Sequence, residues 1–280
     1  MIRLFVTDLD GTLMPEGGSS IVPRYFRVIT ELKEKGMIFG AATGRPVNSV
    51  EKVFAPIRDE ILYISENGGY VQYGGEILLK DPMTLEDSRR IVRDTRLAPG
   101  CYGIYDTGTI SYFEKGAEEA YHVMKDEFRF DSEIIDDLLT LEEPCIKFTV
   151  YRNDDVEAVS MEHLGPRWAD KMQMACAGHR FMDMMKKGVT KGTALKKVQE
   201  HFGILPEETL AIGDNINDLE MLDVAGYSIA IGSARDEVKE KADYVTGTAS
   251  EDGVLMVLEA LLSDMDNADR VLEQFRRKKG

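Results

Sequence analysis

The stretch Arg3-Leu4-Phe5-Val6-Thr7-Asp8-Leu9-Asp10-Gly11-Thr12 decides the fold. Its first half is a short, mostly apolar run, the pattern of a strand buried on both faces of a parallel sheet. The run stops at two aspartates and a glycine. Carboxylates this close together at the end of a core strand repel one another and lose hydration, so they need a compensating partner.

Working outward, Val22–Lys35 carries apolar residues at helical spacing, with Pro23 near its start and Gly36 just past its end. Met37–Ala42 reads as a second strand, Val47–Phe54 as a second helix and Ile61–Ser65 as a third strand. A β-α-β-α-β order implies a parallel sheet with right-handed crossovers. The texture then changes. Tyr70–Leu79 reads as a hairpin around Gly74-Gly75. Helices are expected over Leu85–Leu97, Ala117–Phe128 and Val156–Leu164. Strands are expected over Tyr102–Tyr105, Ile110–Phe113, Cys145–Arg152, Lys171–Ala175 and Arg180–Met185. From Thr190 the first texture returns. Helices are expected over Lys191–Phe202, Asn217–Val224, Arg235–Ala242 and Gly253–Leu262, and strands over Thr209–Ile212, Tyr227–Ile231 and Tyr244–Thr246. The expected fold is α/β: a Rossmann-like parallel-sheet core, residues 1–82 and 187–280, with an α+β cap domain inserted at 83–186.

Two further clusters close core strands. Thr43-Gly44-Arg45 follows the second strand, and Gly213-Asp214-Asn215-Ile216-Asn217-Asp218 follows Thr209–Ile212. With Asp8 and Asp10 they fall on one rim of one sheet, where open α/β sheets bind ligands. Carboxylates without histidine or thiolate neighbours suit Mg²⁺ rather than zinc. A spare carboxylate beside Mg²⁺ points to phosphoryl transfer, with Asp8 as nucleophile and Asp10 as acid and base. Thr43 offers a hydroxyl, Gly44 an amide and Lys191 a point charge to phosphoryl oxygens.

Taken singly, these residues have plainer readings. Thr43 could cap the helix after Pro46, Lys191 could be a solvated helix lysine, and Asp218 could favour a helix N-terminus. Arg45 either clamps a substrate anion or pairs with a core carboxylate. Met172, Met174, Met182, Met184 and Met185 read as core packing or as a substrate pocket. The histidines are scattered and read as structural or exposed.

Taken together, the chain resembles the haloacid dehalogenase-like hydrolases, and among them the Cof-type phosphatases. The likeness rests on Asp8–Leu13, Ala42–Arg45, Lys191 within Lys187–Leu195, and Gly213-Asp214 with Asn217-Asp218. It implies that Asp8 is nucleophile and metal ligand. Asp10 is acid/base, with its carbonyl a further ligand. Asp214 binds Mg²⁺ and Asp218 supports it. Asn217 orients the phosphate or Lys191. Asn67-Gly68-Gly69 matches a family loop facing the cap, which makes Asn67 a candidate substrate contact, alongside Arg45 in its anion-clamping reading. The insert sits where a type IIB cap sits.

The chain has 34 basic and 50 acidic residues, a net charge of −16. That charge repels a phosphate backbone and argues against nucleic acid as partner. No run approaches the roughly 20 apolar residues of a membrane helix. The N-terminal residues leave no room for a signal peptide, and three scattered cysteines suit a reducing cytoplasm. The basic run Arg276-Arg277-Lys278-Lys279 reads as a solvated tail. The expected activity is Mg²⁺-dependent hydrolysis of a small phosphomonoester, such as a sugar phosphate, through an aspartyl phosphate. A sugar phosphomutase and a catalytically silent sensor of a phosphorylated metabolite are the alternatives. Monomer and dimer are both compatible with the sequence.

Overall fold

The computed structural model describes residues 1–177 and 179–277. The main sheet uses β1 (Leu4–Asp8), β2 (Ile38–Ala42), β3 (Leu62–Ser65), β4 (Tyr70–Tyr73) and β5 (Glu76–Lys80). After the insert it gains β12 (Thr209–Gly213), β13 (Tyr227–Ala230) and β14 (Tyr244–Val245). Their order is β14-β13-β12-β1-β2-β3-β4-β5. The strands from β14 to β3 run parallel, and β4 and β5 close the edge as an antiparallel hairpin.

Every residue of β1 is buried, as its apolar run demands. Burying a Leu, Phe or Val side chain is worth about 1.5–3 kcal/mol, which fixes this strand at the centre of the sheet. From β1 the chain winds to β2 and β3 on one side and later returns to β12 on the other. The strand order therefore reverses between β1 and β12, and a crevice opens beyond their carboxyl ends. Helix α1 (Pro23–Glu34) starts with a proline and buries Tyr25, Val28, Ile29 and Leu32. The Tyr25 hydroxyl accepts a hydrogen bond from the Leu255 amide of α10 (Gly253–Ser263) at 3.2 Å, tying two helices together.

The cap sheet holds β6 (Tyr102–Asp106), β7 (Ser111–Glu114), β8 (Ser132–Ile135), β9 (Lys147–Tyr151), β10 (Met172–Ala177) and β11 (Phe181–Lys186), in the order β10-β11-β9-β6-β7-β8. Met172, Met182 and Met184 pack with Phe148 and Trp168 in the cap core, so they are packing residues. Strand β8 goes beyond the sequence expectation. Its run Ser132-Glu133-Ile134-Ile135 lies between aspartates, which hid a short edge strand pairing parallel with β7.

The helix expected over Ala117–Phe128 is shorter. It spans α4 (Glu118–His122) and passes into a widened turn, where the Phe128 amide reaches back to the Val123 carbonyl at 3.4 Å. That turn carries Phe128 to the core. Its carbonyl accepts from Ser49 Oγ at 2.6 Å, and its ring lies 5.1 Å from the Arg45 guanidinium. At the start of the basic run the Arg276 side chain is 53% exposed, while the backbone of Arg276 and Arg277 is tied to the edge of the sheet. Arg276 bridges to Tyr244 of β14. Arg277 donates to the Lys239 and Glu240 carbonyls at 2.9 and 2.6 Å, near the end of α9 (Asp236–Lys241). Lys278 and Lys279 lie outside the described residues.

Candidate active site

Asp8 ends β1, and Asp214 and Asp218 follow β12, so the neighbouring strands deliver all three to the crevice. One oxygen from each lies within 4.8 Å of the others. Lys191 is the first residue of α7 (Lys191–Phe202), set by Thr190, whose hydroxyl accepts from the Thr193 amide at 3.1 Å. Its ammonium donates to Asp8 Oδ1 at 2.6 Å and to Asp218 Oδ1 at 2.7 Å, and its side chain is 1% exposed. A lysine without such partners would not stay charged when buried. Thr12 donates to Asp214 Oδ1 at 2.6 Å. Asp218 Oδ2 accepts from the Asp214 and Asn215 amides, both at 3.0 Å, which folds the loop around its own carboxylate.

Gly11 is required here for a steric reason. It has φ +82°, and a β-carbon on it would lie 2.9 Å from Asp214 Oδ2. Only glycine takes that backbone turn without cost.

Burial raises the Asp8 carboxyl above the ordinary range. Lys191 opposes the shift, while Asp218 and Asp214 add to it. Burial raises Asp214 as well, with Thr12 opposing. One ammonium therefore faces three carboxylates, which leaves the cluster short of positive charge. A divalent cation with oxygen ligands fits that donor set, and Asp8, Asp214 and Asp218 are the side chains that would hold it.

The Asp10 carboxylate lies outside this trio. It is held by Arg45, whose Nε donates to Asp10 Oδ2 at 2.8 Å and whose Nη2 bonds Oδ1. The same guanidinium donates to the Gly18 carbonyl at 3.0 Å. Of the two readings of Arg45, the geometry favours pairing with a carboxylate. Thr43 does not cap α2 (Val47–Val53), whose cap position is Pro46. Its hydroxyl accepts from the Arg45 amide at 3.1 Å, shaping the Thr43-Gly44-Arg45 loop. Asn217 meets Asn67 rather than Lys191, donating to Asn67 Oδ1 at 3.2 Å. Asn67 in turn donates to Asp183 Oδ2 on cap strand β11 at 3.1 Å.

Sequence reading missed a second charged cluster at the seam of core and cap. Lys147 of β9 is 4% exposed and faces Glu66, Asp106 and Asp183, all buried. Its ammonium is 2.9 Å from Glu66 Oε2, 3.8 Å from Asp183 Oδ2 and 3.9 Å from Asp106 Oδ2. The Glu66 contact is close but not well directed, since neither Glu66 side-chain oxygen has a hydrogen-bond partner. The available signal was faint: single charges inside the apolar runs Cys145–Tyr151 and Phe181–Met185.

Burial pushes the Glu66 carboxyl up to about 8, against Lys147 and with Asp106 and Asp183 adding. Asp106 is pushed up to about 6 by burial, with Lys147 and Ser111 opposing. The folded chain thus keeps a proton on Glu66 that the unfolded chain, titrating near its ordinary value of 4.5, has released. That stabilisation is complete below pH 4.5 and is lost as pH rises toward 8, with a slope of up to about 1.4 kcal/mol per pH unit. Thermal melts of the parent between pH 5 and 8 are expected to fall, and Glu66→Gln is expected to flatten the fall. Parallel curves for the two proteins would refute this assignment of the proton.

A central parallel sheet with an acidic crevice at its reversal point, covered by an inserted cap, defines a capped, doubly wound α/β enzyme. A family profile described as haloacid dehalogenase-like hydrolase matches residues 5–258. A crystal structure from Eubacterium rectale is 37% identical, with a TM-score of 0.86, covering 93% of this chain and 99% of that one. The subclass IIB sugar phosphatase BT4131 is 25% identical, with a TM-score of 0.78, covering 92% and 97%. The 5-amino-6-(5-phospho-D-ribitylamino)uracil phosphatase YbjI of Escherichia coli strain K12 is 26% identical over 261 residues, 93% of this chain and 96% of its own. The chain belongs to the haloacid dehalogenase-like hydrolase family, among the Cof-type phosphatases with a type IIB cap. It is an enzyme, a phosphatase. Among the described residues no helix is long and apolar enough to cross a membrane.

Proposed function

We propose that the chain is a Mg²⁺-dependent phosphatase of a small phosphorylated metabolite, of the sugar or polyol phosphate kind, working in the cytoplasm. The observation that carries this reading is the convergence of Asp8, Lys191, Asp214 and Asp218 at the reversal point of the sheet. The relatives that act on a phosphoribityl compound and on sugar phosphates support the substrate class.

In this reading an Asp8 oxygen attacks phosphorus and the bond to the leaving oxygen breaks, giving an aspartyl phosphate. Asp10 hands the leaving oxygen a proton and then takes one from the water that attacks the aspartyl phosphate, freeing inorganic phosphate and Asp8. Bound between Asp8, Asp214, Asp218 and the Asp10 carbonyl, Mg²⁺ would neutralise charge on the phosphoryl oxygens. Lys191 adds a fixed positive charge beside Asp8. Thr43, Gly44 and Asn217 orient the phosphate. Arg45 aims the Asp10 carboxylate, and Asn67 reaches toward the leaving group. Residues 1–82 and 187–280 carry the chemistry, and residues 83–186 select the substrate and exclude water.

The test is phosphate release from a panel of phosphomonoesters that includes p-nitrophenyl phosphate. Release is expected with Mg²⁺ and is expected to vanish with a chelator. Asp10→Asn should lower kcat by about 10²–10⁴-fold, the usual worth of a general acid and base. Chelator-resistant turnover would remove the metal from the scheme. Label passing from substrate into an isomeric sugar instead of free phosphate would make the enzyme a mutase.

A further inference from the structure

The cap reaches into the phosphate-gripping loop through one buried side chain. Lys147 stands on cap strand β9, yet its ammonium donates to the Gly44 carbonyl of the core at 2.5 Å. It also lies 2.9 Å from Glu66 Oε2, and Glu66 follows core strand β3. These two core segments are themselves stitched together. The Asn67 amide donates to the Thr43 carbonyl at 2.9 Å, and the Glu66 amide to the Arg45 carbonyl at 3.2 Å.

The backbone at this junction is held in an unusual shape. Glu66 and Asn67 both sit at φ 51°, in the left-handed region, although neither is glycine. Such conformations persist only where the surroundings over-determine them, and they gather at functional clamps. Gly68 follows at φ +102°, and a β-carbon there would lie 2.2 Å from the Thr190 carbonyl, directly before Lys191. A second route leaves the same cluster. Lys147 lies 3.8 Å from Asp183, Asp183 accepts from Asn67, and Asn67 accepts from Asn217 on the loop that carries Asp214. The cap ammonium thus touches, directly or through one or two side chains, the loops after β2, β3 and β12.

We propose that Lys147 is a positioning residue: when the cap is closed, its ammonium pins Gly44 and Glu66 together and so sets the phosphate-gripping loop for reaction. Closure of the cap is then coupled to assembly of the site, because the clamp exists only when β9 lies against the core. A misplacement of about 1 Å in such a loop can cost about 10²-fold in rate. The inference deepens the phosphatase reading and rests on it.

The test removes both ends of the Lys147–Glu66 contact, with Lys147→Met combined with Glu66→Gln, and leaves Asp106 and Asp183 without their cation. At equal folded fraction, kcat for p-nitrophenyl phosphate with Mg²⁺ is expected to fall about 10²-fold, with melting lowered because Asp106 and Asp183 lose their cation. Inorganic phosphate should bind at least about tenfold more weakly by calorimetry. A double variant within about threefold of the parent in both readouts overturns the clamp. Should that variant fail to fold, Lys147→Arg decides. It keeps the buried charge, but its planar fork cannot reproduce one compact contact between Gly44 and Glu66. A kcat about tenfold down at unchanged melting upholds the clamp, and a parent-like kcat overturns it. A parent that releases no phosphate from any ester defeats the phosphatase reading. The calorimetric comparison then judges the clamp by itself: weaker phosphate binding by the variant upholds it, and equal binding overturns it.

Discussion

Asp8→Asn is expected to abolish phosphate release, by more than about 10⁴-fold, while the chain stays folded. The size follows from the role, because loss of a nucleophile removes a whole catalytic unit rather than one contact. The retained fold follows from electrostatics. Asp8 is 7% exposed, and burial already disfavours its charged form. A neutral asparagine of nearly the same shape relieves that cost, while Lys191 keeps Asp218 at 2.7 Å as its partner. Melting should therefore stay level or rise. Paired melts and phosphate-release assays check both halves. Parent-like hydrolysis by a folded Asp8→Asn protein would end the nucleophile assignment.

Lys191→Met is expected to hurt stability as well as turnover. Lys191 is the cation between Asp8 and Asp218, and all three are buried. Removing one partner of a buried ion pair leaves charge without compensation, at a cost of about 3–5 kcal/mol. In a chain of this size that lowers Tm by on the order of 10 °C. Turnover should fall steeply too, since the fixed charge beside the nucleophile is gone. A double-mutant cycle with Asp218→Asn isolates the pair: the double variant should lose less stability than the two single losses added together. Additive losses would show that Lys191 and Asp218 do not stabilise each other. A Lys191→Met protein as stable and active as the parent would remove Lys191 from the site.

Much of the site was legible because its residues obey local rules. Asp8 and Asp10 close a short apolar run, Thr43 closes the second, and Asp214 closes the strand that begins at Thr209. Each cluster is visible within about ten residues of sequence. Arg45 was ambiguous for the opposite reason. Whether it meets Asp10 or a ligand depends on a turn held by the Gly11 amide on the Met14 carbonyl, and on Phe128 arriving from the cap. Lys147, Glu66, Asp106 and Asp183 were missed. They lie far apart in sequence, and what joins them is the packing of β9 against β6, β11 and the loop after β3.

Periodicity and strand-end acids by themselves determined the parallel sheet, its inserted second texture and the rim on which the acids gather. These are short-range consequences of which side chains leave water and which cannot. The tertiary structure decided which carboxylate faces which cation. It set β12 against β1, so that Lys191 reaches Asp8, and it laid β9 on the core, so that Lys147 reaches Gly44. Burial makes those pairings strong and obligatory, and it depends on what covers a group from another part of the chain, which no local window contains.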